Sequence, residues 1–500
     1  MAFLLKENTH MGNITFSSLL RKKNIETPPS DKEDLARVIG MPSLIFFGVG
    51  GIVGTGLFSI TGVAASEHAG PAVIISFFIG AIACAFIGLC YSELAGMITV
   101  AGSSYSYTYI AYGEIIAWMV GWNLVLEYAV GAGAVAVSWS KYMMSFLEGF
   151  HIHIDPRYIA SPFETVTLLD GSKVDGIINL PSTVIVVILS LLLIKGLKES
   201  LTLNNIVVVI KICVILTLIA FGLPYIKAAN FVPFIPENTT GTFGHFGFSG
   251  IMQAAGMIIF AYIGFDSVSS TAQEVKNPSK NIPKAILIII STCAVIYFCF
   301  AFVIVGLVYY TDLLNDAAPV ATAIDHTPFK WLQPIVKISI LFGYIPILFL
   351  LLIGQTRIFF SLAKDGLIPK FFAKTHPKFK TPHYSHTFFM VFVCILSAFF
   401  PIGVLGNMCA IGALFAFVFV CLAVIILRKT YPDYPRTFKI PGGPIIPIIG
   451  SATALVLMYS LNNLTWIIML CWMALGLIIY FGYGYSHSKL NQNTKLKVIK

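Results

Sequence analysis

The sequence predicts an all-α integral membrane protein of about twelve spanning helices, with the first and sixth broken at mid-membrane and the core built as two inverted five-helix repeats. Three observations lead there. Of 500 residues, 57% are hydrophobic and only 11% charged, and the mean hydropathy is +0.85, which leaves too little polar surface for a soluble globule. Apolar windows of about 20 residues recur along almost the whole chain. Two of those windows carry glycines at matching depth, where an opened backbone in lipid would leave N–H and C=O groups without partners.

In chain order the windows lie near 41–65, 71–98, 113–146, 179–196, 201–226, 246–272, 283–310, 331–360, 384–402, 406–428, 444–462 and 464–486. Residues 1–39 form an N-terminal segment with no continuous apolar h-region and no small-residue cleavage site, so the first span serves as the targeting signal. A core over 40–430 divides into repeats at about 41–226 and 246–428; two further helices occupy 444–487, and 488–500 is a tail. Lysine and arginine are concentrated in the segments that lie on one side if both termini are cytoplasmic, which predicts N-in, C-in topology. The net charge of +9 is then orientation and anionic-lipid contact, with no nucleic-acid partner implied.

All nine cysteines fall inside spans without CxxC spacing, so neither a disulfide framework nor a zinc site is expected. His151 and His153 have a spacing that reaches one metal ion, but no third ligand accompanies them, and they read as loop. There is no GxSxG or HExxH motif, so the residues imply no enzyme and no cofactor.

The first break is GVGGIVGTGLFSITG at 48–62, with five glycines between Gly48 and Gly56. Each costs roughly 1 kcal/mol against alanine in a helix interior. The sixth window has Gly264 at mid-membrane, followed at once by Asp266. Each break stands a similar distance before the proline, Pro71 or Pro283, that opens the next span, and the offset of five spans inverts their direction. Such a pair points to an inverted-repeat transporter with its site at the bilayer midplane. Half-helix N–H groups there take a carboxylate and exposed carbonyls take an ammonium, so an amino-acid zwitterion suits both ends. The alternative is close helix packing through the GxxxG spacing of Gly50 and Gly54.

Lys211, in IVVVIKICVILTLIAFG, places an amine deep in the fifth span, where an ionisable group is a functional hypothesis by default. It can exchange a proton as the cavity changes its exposure. Glu127, within WNLVLEYAV, and Asp266 are the buried acids, and either can neutralise Lys211 or polarise the pocket; Asp266 reads equally as a helix cap. Glu93, Glu114 and Glu274 face Arg357 and Lys364 near the inner ends, as an ion-pair gate or as a solvated face.

These residues resemble the cationic amino acid transporter branch of the amino acid, polyamine and organocation superfamily, in its bacterial-type form. The resemblance runs from about Gly40 to Arg428: GxGxxxGTGLF at 48–58, CYSELAG at 90–96, AGSSYSYTY at 101–109, GWNLVLEY at 121–128, FAYIGFDSVSSTAQEVKNP at 260–278, GQTRIFFSLAKDGLIPKFF at 354–372 and HPKFKTP at 376–382. Met97, Thr99 and Gln273 depart from the family pattern.

The resemblance implies a leucine-transporter-like fold in a bacterial inner membrane. It places the substrate carboxylate on the backbone of Gly54, Thr55 and Gly56 and the ammonium on the carbonyls of Ile52, Phe260 and Ile263, beside Gly264, with Phe260 and Tyr262 as aromatic gates. Lys211 would stand where sodium-coupled relatives hold a cation, between the first and eighth spans, and Leu341–Gly354 offers no Ser or Thr hydroxyl for sodium. Tyr344, with Pro346 beside it, would shorten the side-chain pocket, whereas Glu127 at its far end would favour a cation. The implied activity is proton-coupled symport of small to mid-sized neutral L-amino acids. The alternatives are a cationic amino acid transporter, an exchanger, or a sensor that binds without transport. The implied partners are amino acid, protons and membrane lipid.

Overall fold

The computed structural model describes residues 19–25, 39–98, 102–168, 171–196, 201–271, 275–314, 316, 318–379 and 381–492. Glu274, Gln273 and Thr99 lie outside them. Helices dominate: α1 is Met41–Ile52 and α2 the run Gly56–Ala69, in which π-helical turns flank a short α-helical piece, followed by α3 (Val73–Met97), α4 (Ser103–Ala111), α5 (Glu114–Glu148), α6 (Leu180–Ile194), α7 (Leu201–Gly222), α8 (Gly247–Tyr262) and α9 (Phe265–Ser270). The rest are α10 (Pro278–Leu307), α11 (Pro319–Asp325), α12 (Leu332–Lys364), α13 (His383–Phe399), α14 (Ile402–Thr430), α15 (Ile445–Tyr459) and α16 (Asn463–Ile479). Among the described residues, eight segments are long and apolar enough to cross a membrane, the first of them running through α1 to α3; α6, α13 and α15 are shorter apolar helices.

Local chemistry explains the starts. Prolines occupy the first turns of α1, α6, α10 and α11, where a missing N–H costs nothing, and the Asn179 and Asn462 side chains cap α6 and α16 by accepting from Ser182 and Thr465 backbone N–H groups. Two elements did not announce themselves as spans: α4, whose SSYSYTY is too polar, and a small hairpin, β1 (Thr165–Thr167) with antiparallel β2 (Lys173–Asp175). Beside that hairpin Glu164 accepts from Lys141 at 2.7 Å; burial works to raise its carboxyl's pKa, and the ammonium with the Ser161 N–H outweighs this and holds it below the usual range.

The centre is α5 against α12, two antiparallel helices each about 50 Å long at 1.5 Å per residue. Small residues let them meet: a Cβ on Gly354 would lie 3.2 Å from the Tyr128 ring, and one on Gly121 3.4 Å from Leu362 Cδ2. Aliphatic and aromatic side chains such as Val184, Ile188, Val295, Phe298, Leu470 and Ile478 are exposed on the outside, the signature of a lipid-facing belt.

Glu93, near the end of α3, is fully buried and gathers two arginines, one from the last turn of α14 and one from the segment after it. Arg428 donates to both its oxygens, Arg436 approaches to 3.5 Å, and the Ile440 N–H donates at 2.8 Å. Glu93 therefore does not face Arg357 and Lys364, as the sequence suggested. Removing the acid leaves the two guanidiniums on main-chain carbonyls alone, with no negative charge to balance them, so Glu93→Ala should lower the unfolding free energy by about 3 kcal/mol. Thermal unfolding of the purified protein checks this; an unchanged midpoint would refute it. Glu114 likewise meets hydroxyls, accepting from Tyr109, Tyr480 and Ser488. Close by, Lys23 pairs with Asp365 at 2.7 Å, and Tyr105 donates to the same carboxylate.

Candidate functional site

Both predicted glycine positions coincide with real interruptions. α1 ends at Ile52, Val53 is extended, and the N–H groups of Leu57 and Phe58 both donate to the Gly54 carbonyl to start α2. α8 ends at Tyr262, Ile263 is extended, and Gly264 has φ +126°, a conformation that favours glycine. The two breaks lie side by side. A Cβ on Gly56 would sit 2.2 Å from Ala261 Cα, and one on Gly264 3.0 Å from Ile52 Cγ1. The glycines are needed because two main chains touch.

Between them lies a cavity of about 30 Å³. Ile52, Gly54, Thr55, Gly56, Phe260, Ile263 and Gly264, all singled out from the sequence, line it together. Its far wall is apolar: Val135 from α5 and Ile347, Leu350 and Leu351 from α12, with Cys409 of α14. Such a volume is on the scale of a water molecule, so this is a closed form whose walls must part for anything larger. Its polar groups are main-chain apart from the side chains of Thr55 and Ser267. Ahead of the bonds that Leu57 and Phe58 make to Gly54, the N–H groups of Thr55 and Gly56 have no main-chain acceptor among the described residues, whereas α1 and α8 both end there on C-terminal carbonyls. The Thr55 hydroxyl is buried with no hydrogen-bond partner among the described residues. One site thus offers donors for an anion and acceptors for a cation.

Lys211 of α7 points inward, 2% exposed, while its neighbours Ile206, Val209, Ile210 and Leu216 face out. Its Nζ donates to the carbonyls of Val53 at 2.8 Å and Gly50 at 3.2 Å. Gly343 on α12 makes room, since a Cβ there would lie 2.7 Å from Lys211 Cε. The amine therefore fills the space between α1 and α12 at the negative end of the α1 dipole, a cation's place.

Other expected residues are displaced from the cavity. Tyr344 does not line it; its hydroxyl accepts from Ser138 at 2.8 Å and its ring packs edge-on against Phe58 and Tyr142, leaving Ile347, one turn along, on the wall. Glu127 is also outside the lining, beside Asn123 and Gly412, with both carboxylate oxygens buried and without a hydrogen-bond partner among the described residues. Asp266 acts locally, accepting from the Gly264 N–H and from the Tyr128 hydroxyl, both at 3.2 Å. Tyr262 turns its hydroxyl to the Phe77 carbonyl, away from any gate position. Tyr297 of α10 was not singled out at all, yet its hydroxyl lies 2.9 Å from both the Ile52 and the Ala261 carbonyl. A tyrosine in an apolar run looks like packing, and no signal in one sequence marks it. Among the described residues no group of His, Cys, Asp or Glu is placed to hold a metal.

Comparison with known proteins adds an independent line. The family model for amino acid permeases matches residues 39–474. The chain is similar to a methylthioribose transporter of Bacillus subtilis (strain 168), 38% identical over 478 residues, 95% of this chain and 100% of that protein. It is similar to the branched-chain amino acid permease BcaP of the same organism, 39% identical over 481 residues, 95% of this chain and 99% of that protein. More distantly it resembles the vacuolar cationic amino acid transporter 4 of Arabidopsis thaliana, 34% identical over 421 residues, 83% of this chain and 68% of that protein.

Proposed function

The chain belongs to the amino acid permease family of the amino acid, polyamine and organocation superfamily, and from that premise we propose a proton-coupled symporter of small to mid-sized neutral L-amino acids, aliphatic ones foremost. It is a multi-pass membrane protein and not an enzyme. In this reading it has twelve spans, five-helix repeats at about 41–226 and 246–428, the added pair over 444–487, and both termini in the cytoplasm of a bacterial cell.

The observation that carries the reading is the cavity between the breaks. The substrate carboxylate would take the α2 N–H groups of Thr55 and Gly56, its ammonium the carbonyls of Ile52, Phe260 and Ile263, and its side chain the wall of Val135, Ile347, Leu350 and Leu351. That wall has no acid, which argues against arginine and lysine, the alternative substrates. An uncharged sugar such as methylthioribose has neither group that the helix ends would recognise. Alternating access would part α1 and Lys211 on one face and α2 with α8 on the other, and a proton on Lys211 would couple the cycle.

Counterflow in proteoliposomes tests it. Labelled isoleucine should exchange with saturation, valine and alanine should compete, and arginine should compete at least about tenfold less well, because its charge would be buried against apolar carbon. Equal competition by arginine would establish the cationic alternative. Saturable binding without exchange would leave a sensor.

A further inference from the structure

We propose that Tyr297 is a positioning residue for the substrate ammonium, holding the two carbonyl ends of the broken helices together until the amine arrives. This rests on the reading that the Ile52 carbonyl is an ammonium acceptor. The geometry is specific. The Tyr297 hydroxyl stands 2.9 Å from the Ile52 carbonyl, at the end of α1, and 2.9 Å from the Ala261 carbonyl, in the last turn of α8. It carries one hydrogen, so the two acceptors share it and neither is served in full.

The side chain is fully buried, and its ring is wedged by Phe77 at 5.8 Å and Tyr262 at 5.2 Å, so the hydroxyl has nowhere else to turn. α1 and α8 both present their negative C-terminal ends here, and two such ends repel unless a positive group lies between them. In the closed form that group is the phenolic hydrogen. An ammonium brings three donors; it takes the Ile52 carbonyl, and Tyr297 then gives its hydrogen wholly to Ala261. Without the hydroxyl the ends relax apart in the empty site and must be regathered on binding, a cost borne only by ligands that use the amine.

The test compares L-isoleucine with 3-methylpentanoate, which is isoleucine without its amine, by thermal-shift or calorimetric titration of the purified full-length protein. Wild type should bind isoleucine at least about tenfold more tightly than 3-methylpentanoate. Tyr297→Phe, which removes one oxygen and keeps the ring, should weaken isoleucine about tenfold and leave 3-methylpentanoate within about twofold. Tyr262→Phe, an equally buried hydroxyl bonded elsewhere, should leave the ratio of the two affinities unchanged. Equal weakening of both ligands in Tyr297→Phe, or no weakening of isoleucine, overturns the assignment while the ammonium reading stands. A wild type that does not distinguish the two ligands overturns that reading and this one together.

Discussion

Gly56→Ala should abolish transport, with uptake down at least about a hundredfold in protein that still inserts into the membrane. The added methyl would lie 2.2 Å from Ala261 Cα and 2.5 Å from its Cβ, against the 3.5–4.0 Å of ordinary carbon contacts, so the two broken helices must separate by about 1 Å or more. Both neighbours are main chain or bound to it, and neither can swing aside. A displacement of that size at a site built from backbone groups costs on the order of a hundredfold.

Gly54→Ala supplies the contrast. Its methyl would meet only the Cδ1 of Ile347, at 2.3 Å, and the tip of a side chain can move. We expect a loss of about tenfold, recovered in Gly54→Ala/Ile347→Val, where that Cδ1 is gone. Uptake and thermal unfolding of all three variants check this. Near wild-type uptake by Gly56→Ala would mean that the breaks do not touch during transport.

Lys211→Ala should uncouple the carrier from the proton. For a one-to-one symporter each unit of pH gradient sustains about tenfold accumulation, since one unit is 1.36 kcal/mol. The variant should equilibrate its substrate to a ratio of about 1 whatever the gradient, and replacing sodium should leave the wild type unchanged. Gly343→Ala approaches the same point without removing the amine, because its methyl would press on Lys211 Cε from 2.7 Å. Accumulation in wild type that requires sodium would sink the idea, as would a Lys211→Ala protein that still concentrates isoleucine when the outside is acidic.

Much of this was legible because membranes punish exposed backbone. Gly54 and Gly264 could be read as breaks, and Lys211 as an inward-facing amine, because lipid tolerates an opened helix or a buried amine only where a ligand or a protein group satisfies it. Pairing was not legible. Glu93 could be matched with any cation near the same face, and its partners lie 335 residues and more away. Tyr344 was placed by counting along α12, which found the right helix and missed by one turn the residue, Ile347, that faces the cavity. Tyr297 carries its role in one phenolic oxygen among many aromatic rings. The polarity of α4 hid a helix because its serine and tyrosine hydroxyls are satisfied by tertiary partners: Ser104 by Tyr91, Tyr105 by Asp365.

The Glu93 cluster also sets a timetable. Synthesis proceeds at about 5–20 residues per second, so Arg428, 335 residues downstream, is made roughly 20–70 s after Glu93. Throughout that interval α3 carries its acid without either guanidinium. A chain cut before Arg428 has made Glu93 and neither of its arginines, so this cluster closes only after α14 has been synthesised.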